Sequence, residues 1–172
     1  GGYGGAFLAY LLGGLLTWGS LGLLAPIASQ WSWNYTLGNL KYGGRPISCD
    51  PRLEKLYGQL VMPAIVLVTG AVALFIIGIG AFAAMGTYGI ERMSELGTDL
   101  GVFGILAAFY AALIPFFLLY VLVGLIYRAG TRNVALSETV IDGQHLLASS
   151  INRWRYAWIA ISNFLATILT LG

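Results

Sequence analysis

Four stretches of this chain carry no Asp, Glu, Lys, Arg or His: residues 1–40, 56–90, 100–127 and 156–172. A bilayer core is crossed by roughly 20 apolar residues in a helix, so each stretch is a candidate span. Water-soluble domains hold about 25% charged residues; this chain holds 9%, with 58% hydrophobic, too few charges to coat a soluble surface around four such stretches. Residues 61–84 and 103–126 are continuously apolar rather than alternating, which excludes barrel strands and leaves helices, whose backbone groups are satisfied internally. The expected fold class is an all-α membrane protein: one transmembrane domain over 1–172, a polytopic bundle of about four transmembrane helices at about 6–28, 59–85, 102–127 and 155–172.

The first stretch lacks a basic leader and its apolar run exceeds the 7–15 residues typical of a signal peptide, so it is expected to be a span. The chain does not begin with Met, and it is expected to be part of a longer protein. Amphipathic rings settle at membrane–water boundaries. Trp31 and Trp33 follow the first stretch and Trp154 and Trp158 open the fourth, so these four are the candidate interface anchors.

Charge orients the bundle. The first connection holds Lys41, Arg45, Arg52 and Lys55 against Asp50 and Glu54, and the third holds Arg128, Arg132, Arg153 and Arg155 against Glu138 and Asp142. The second, 87–99, is acidic, with Arg92 against Glu91, Glu95 and Asp99. The positive-inside tendency places connections one and three in the cytoplasm. A net charge of +2 gives no basis for nucleic-acid binding; membrane lipid is the expected contact of the basic residues. One cysteine, Cys49, and one histidine, His145, fall short of a usual zinc ligand set, and no metal, cofactor or catalytic residue is expected.

Within the third connection, Asp142-Gly143 is a dipeptide favoured in two-residue type I′ turns, flanked by β-prone residues. A hairpin is expected over about 133–149. Shifting the chain by 99 residues lays Asn34, Leu37, Gly44, Ile47 and Tyr57 on Asn133, Leu136, Gly143, Leu146 and Tyr156, so a second hairpin, turning at Gly43 and Gly44, is expected over about 34–49. Glu138, Asp142 and His145 have Asn39, Gly43 and Pro46 as counterparts. The turn glycine recurs and the ionisable groups do not, which favours solvated hairpin residues over a carboxylate–imidazole cluster for acid–base chemistry; both readings stay open. A shift of 150 aligns Leu16-Thr-Trp-Gly-Ser-Leu-Gly22 with Ala166-Thr-Ile-Leu-Thr-Leu-Gly172. With four spans this makes spans one and four an inverted pair, an architecture of secondary transporters; a re-entrant hairpin in place of span one would leave both facing the same side.

Tyr127-Arg-Ala-Gly through Glu138-Thr-Val-Ile-Asp-Gly-Gln, then Arg153-Trp-Arg-Tyr-Ala-Trp and Ser162-Asn-Phe-Leu-Ala-Thr-Ile-Leu-Thr-Leu-Gly, resembles the repeated core of the YjgN-like family of bacterial inner-membrane proteins of unknown function. The first copy departs from it at Asn39-Leu40 and Ser20-Leu21-Gly22. The resemblance implies a multi-pass protein of the bacterial inner membrane and carries no activity or catalytic residue.

Asn163, Tyr110 and Thr167 are the candidate intramembrane polar contacts, with helix packing their expected role. Pro26 and Pro63 are expected at helix ends, and Pro115 deep inside a span. No charged group lies within the expected spans, which argues against proton-coupled transport. The expected function is non-enzymatic: an accessory or scaffolding subunit acting through helix packing and cytoplasmic hairpins, with a membrane-protein partner or as a homo-oligomer. The alternative is a channel or transporter for a neutral or amphipathic solute built on inverted repeats.

Overall fold

The computed structural model describes residues 2–95 and 98–171, with side chains there except at 82, 84, 85, 87–95, 98–102, 105 and 108. In chain order it has α1 (Tyr3–Ala6), a π-helical turn (Phe7–Leu12), α2 (Gly13–Gly19), α3 (Ala25–Gly38), β1 (Lys41–Tyr42), β2 (Arg45–Cys49), α4 (Leu53–Glu95), α5 (Thr98–Ser137), β3 (Thr139–Ile141), β4 (His145–Leu146) and α6 (Arg153–Leu169). Two compact bodies divide it: Gly1–Pro63 with Leu125–Gly172, and Ala64–Gly124.

The charge-free segment 6–28, expected to be one span, reverses direction. Gly22 N–H donates to Thr17 O at 2.8 Å and Leu21 N–H to Trp18 O at 3.1 Å, with Leu21 at φ 53° and Gly22 at φ 90°. These are the two bonds of a Schellman cap. Ser20 Oγ then accepts from Leu24 N–H at 2.9 Å, and Pro26 sits in the first turn of α3, where its missing N–H costs nothing. α3 runs back against α2: Ser32 Oγ lies 3.0 Å from Ala9 O, and a Cβ added to Gly13 would stand 3.2 Å from Ala28 Cβ. The 14 residues of α3 rise only about 21 Å, short of the ~30 Å hydrocarbon core. Span one is therefore corrected to a helical hairpin.

The Leu21–Trp18 bond recurs 150 residues later, Leu171 N–H donating to Ile168 O at 3.3 Å. Thr170 has φ −97°, ψ 4° against φ −97°, ψ 9° at Ser20, and Leu171 has φ 54°. Thr167 Oγ1 donates to Asn163 O as Thr17 Oγ1 does to Gly13 O, both at 2.8 Å. The two units are not an inverted pair. α3 ends at the first hairpin and α2 is antiparallel to it, so α2 starts from the sheet end; α6 also starts from the sheet end, directly after the second hairpin. The fold-back of the first segment removes the inversion.

Two helical stretches are long and apolar enough to cross a membrane among the described residues, Leu53–Ala81 and Phe109–Ser137, where four were expected. α6, at 17 residues, rises about 25 Å. The expected acidic loop 87–99 shrinks as well, because α4 continues to Glu95 and α5 begins at Thr98; the side chains of Glu91, Glu95 and Asp99 lie outside the described residues. Pro63 is fully buried ten residues into α4, not at its end, and Pro115 lies inside α5 as expected. In the body Ala64–Gly124, Gly70 leaves room for Leu119, whose Cδ1 would be 2.7 Å from an added Cβ.

Both hairpins form, with shorter strands than expected. Residues 34–38 and 133–137 stay helical; Asn39 Nδ2 donates to Tyr35 O at 2.6 Å and Thr139 Oγ1 to Ala135 O at 2.7 Å, closing the last turns of α3 and α5. The hairpins then join in one antiparallel sheet, β1-β2-β3-β4, through Ile47↔Ile141, Ser48↔Val140 and Cys49↔Thr139. Leu37, Cys49 and Ala135 form the core under this seam, with Trp33, Ile47 and Leu136 packed against it. Connections one and three thus share one end of their body, as their common basic character predicts.

Candidate functional site

The turn chemistry places charge across the seam. Gly43 and Gly44 have φ 57° and 82°, Asp142 and Gly143 φ 55° and 68°, the paired left-handed residues that a type I′ turn requires. The second turn brings Asp142 to Arg45, Oδ2 to Nη1 at 2.6 Å. Just past α5, Glu138 reaches the first hairpin: Oε2 accepts from Arg52 N–H at 2.6 Å, and Oε1 receives Arg52 Nε at 2.8 Å and Lys55 Nζ at 2.6 Å. Partial burial works to raise the Glu138 pKa, but the Lys55 ammonium and the Arg52 backbone and guanidinium donors outweigh it and hold the carboxyl down at about 2. Every connection-one cation in these pairs meets a connection-three carboxylate.

A comparison of the two repeats shows what Glu138 replaces. In the second copy Asn133 clamps the strand leaving the hairpin, its Oδ1 accepting from Ile151 N–H at 2.8 Å and Ser149 Oγ at 2.9 Å, its Nδ2 donating to Ile151 O at 2.9 Å. In the first copy Asn34 reaches Asp50, the counterpart of Ser149, at 3.4 Å. Arg52 N–H, the counterpart of Ile151 N–H, is taken by Glu138, and Asn34 Oδ1 is left buried without a hydrogen-bond partner. The cross-repeat ion pair has displaced the local clamp.

Glu138, Asp142 and His145 share no hydrogen bond or ion pair with one another, and of the three His145 is the exposed hairpin residue expected. The two carboxylates are engaged by separate cations, and His145 is exposed on β4 with no hydrogen bond among the described residues. Burial raises the Cys49 thiol above its ordinary pKa; the Thr139 contact opposes this, and the Asp50 and Glu138 charges add to it. A buried protonated thiol is a poor nucleophile.

A second feature lies between the helical hairpin and α5: an open groove of about 630 Å³. Its floor carries a hydrogen bond between Ser29 Oγ and Tyr127 OH at 3.0 Å. Gly13, Gly14 and Ala28 line one wall and Arg128 and Thr131 the other, with Trp18 and Trp33 among the lining rings. Arg128 was placed by its charge in the connection after span three; α5 continues to Ser137, so Arg128 and Arg132 are helical, just past the charge-free run 100–127.

The remaining candidates scatter. Trp31 is half-buried on α3, Trp33 packs on the sheet core, and Trp154 and Trp158 are exposed on α6. Tyr110 is exposed with an edge contact to Phe109 at 5.9 Å. Asn163 and Thr167 are exposed on α6 and share only the helix-internal bond given above.

No curated protein and no solved structure matches this chain. A family profile described as a bacterial protein of unknown function, DUF898, matches residues 1–172. The chain therefore belongs to the DUF898 family of bacterial proteins.

Proposed function

We propose that this chain is a multi-pass protein of the bacterial inner membrane that works by association, as an accessory or scaffolding subunit. The observation that carries the reading is the surface of Leu53–Ala81 and Phe109–Ser137, where only 6% of each apolar window is buried. Helices apolar on all sides need lipid or protein around them. On the residues quoted above, the chain is also read as a relative of the YjgN-like proteins. The four-stranded sheet, on the cytoplasmic side, is the element offered to a membrane-protein partner or a second copy. Both of its carboxylates nearest the seam, Glu138 and Asp142, are committed to holding the hairpins together, which fits a non-enzymatic role. The transporter alternative loses its inverted pair.

Fractionation of cells followed by purification of the full chain in mild detergent tests this. The expected result is recovery from the membrane with a stoichiometric partner or as a defined homo-oligomer. Recovery as a lone monomer would count against association, and recovery in the soluble fraction against the membrane placement. A reporter fused at Gly89 is expected outside the cytoplasm.

A further inference from the structure

We propose that the groove between the helical hairpin and α5 holds one anionic phospholipid, its phosphate on Arg128 and its upper acyl chains beside Gly14, along Tyr10 and Trp18. This rests on the membrane placement proposed above. Arginine keeps its charge under all ordinary conditions. An ionisable residue inside an apolar span is costly unless it finds a counter-charge or reaches the interface. Arg128 follows the charge-free run 100–127 directly, is exposed, forms no ion pair among the described residues, and no carboxylate lines the groove. At the end of an apolar run the guanidinium reaches the membrane interface, where the anionic groups on offer are headgroup phosphates.

The rest of the lining selects the kind of anion. Thr17 donates to Gly13 O at 2.8 Å, Thr131 to Arg128 O at 3.2 Å, and Ser29 and Tyr127 satisfy each other at 3.0 Å. With these hydroxyl groups engaged internally, Arg128 is the dominant donor for a headgroup. Beside Gly14 the lining is the exposed rings of Tyr10 and Trp18, apolar surface that a soluble anion would leave unused and an acyl chain would cover. With no carboxylate in the lining, a zwitterionic headgroup finds no counter-charge for its cation.

The test uses the full chain, extracted in mild detergent, delipidated and titrated with phosphatidylglycerol, phosphatidylcholine or glycerol phosphate, with bound mass read by native mass spectrometry. Wild type is expected to take one phosphatidylglycerol in preference to phosphatidylcholine, and glycerol phosphate weakly. Arg128→Gln removes a charge-assisted pair and is expected to weaken phosphatidylglycerol binding about tenfold, whereas Arg132→Gln, exposed on the same helix outside the groove, leaves it unchanged. Gly14→Leu fills the trough without a clash, since nothing lies within 4 Å of an added Cβ, and is expected to displace the lipid with Arg128 intact. Membrane-extracted protein in which Arg128→Gln and Gly14→Leu both bind phosphatidylglycerol like wild type would overturn the site and leave the membrane reading standing. Glycerol phosphate binding as tightly as phosphatidylglycerol would overturn the lipid assignment. A chain recovered from the soluble fraction would remove the premise itself.

Discussion

Glu138 shows how much one side chain decides here. Its carboxyl is about 12% exposed and bridges two cations that are half-exposed or more, so solvent screening discounts the gain to on the order of 1–2 kcal/mol. Glu138→Gln is expected to lower the unfolding free energy in detergent by that much, read from chemical denaturation. Because the folded pKa, about 2, lies below the ordinary value of 4.5, the stabilisation is fully present above about pH 4.5 and is lost as pH falls toward 2. Thermal melts through that window should fall faster for wild type than for Glu138→Gln; parallel curves would refute the linkage. The two asparagines offer a second comparison at this scale. Asn133→Ala strips partners from Ile151 and Ser149 and is expected to cost about 2–3 kcal/mol. Asn34→Ala removes one long bond and an orphaned acceptor, so the loss should be under about 1 kcal/mol; equal losses in chemical denaturation would contradict the displaced clamp.

At the scale of elements, the Schellman cap after α2 puts Leu21 at φ 53°, a conformation costing roughly 1–2 kcal/mol for a residue with a Cβ. Leu21→Gly relieves that cost, offset in part by greater unfolded-state freedom, and is expected to raise the thermal midpoint. A lowered midpoint would mean that the Leu21 side chain, exposed here, has a contact of its own. The Asp142-Gly143 turn was legible because its chemistry is local: two adjacent residues must accept positive φ, and this dipeptide does so readily. The strand limits were not, since Val134, Leu136 and their neighbours have β propensity that tertiary packing on Leu37 and Cys49 overrides in favour of helix.

At the scale of the molecule, the joined hairpins bring together loops that the chain separates by a long excursion through Ala64–Gly124. A Ser48→Cys/Val140→Cys pair in a Cys49→Ala background sits at directly opposed Cα positions, within disulfide reach. Mild oxidation should cross-link it within one chain, visible as a mobility shift on a non-reducing gel, while Tyr42→Cys/Val140→Cys, two strands apart, should not. Failure of the first pair would refute the sheet order. The ion pairs belong to this scale too. Arg52 and Glu138 are 86 residues apart, and neither shows its partner in the flanking sequence.

What the chain dictates by composition alone is where charges are absent and where turns can form, because burial in an apolar medium and backbone sterics act on each residue with its near neighbours. The two repeats also were readable, and the backbone angles at Ser20 and Thr170 repeat to within a few degrees. The direction of the first segment was decided only by packing. Ser20, Gly22 and Pro26 mark a helix break locally, but that the chain folds back there depends on Gly13 meeting Ala28 and Ser32 meeting Ala9 across the hairpin. The pairing of Glu138 with Arg52 and Lys55 follows likewise from the strand register, a long-range fact that no local pattern encodes.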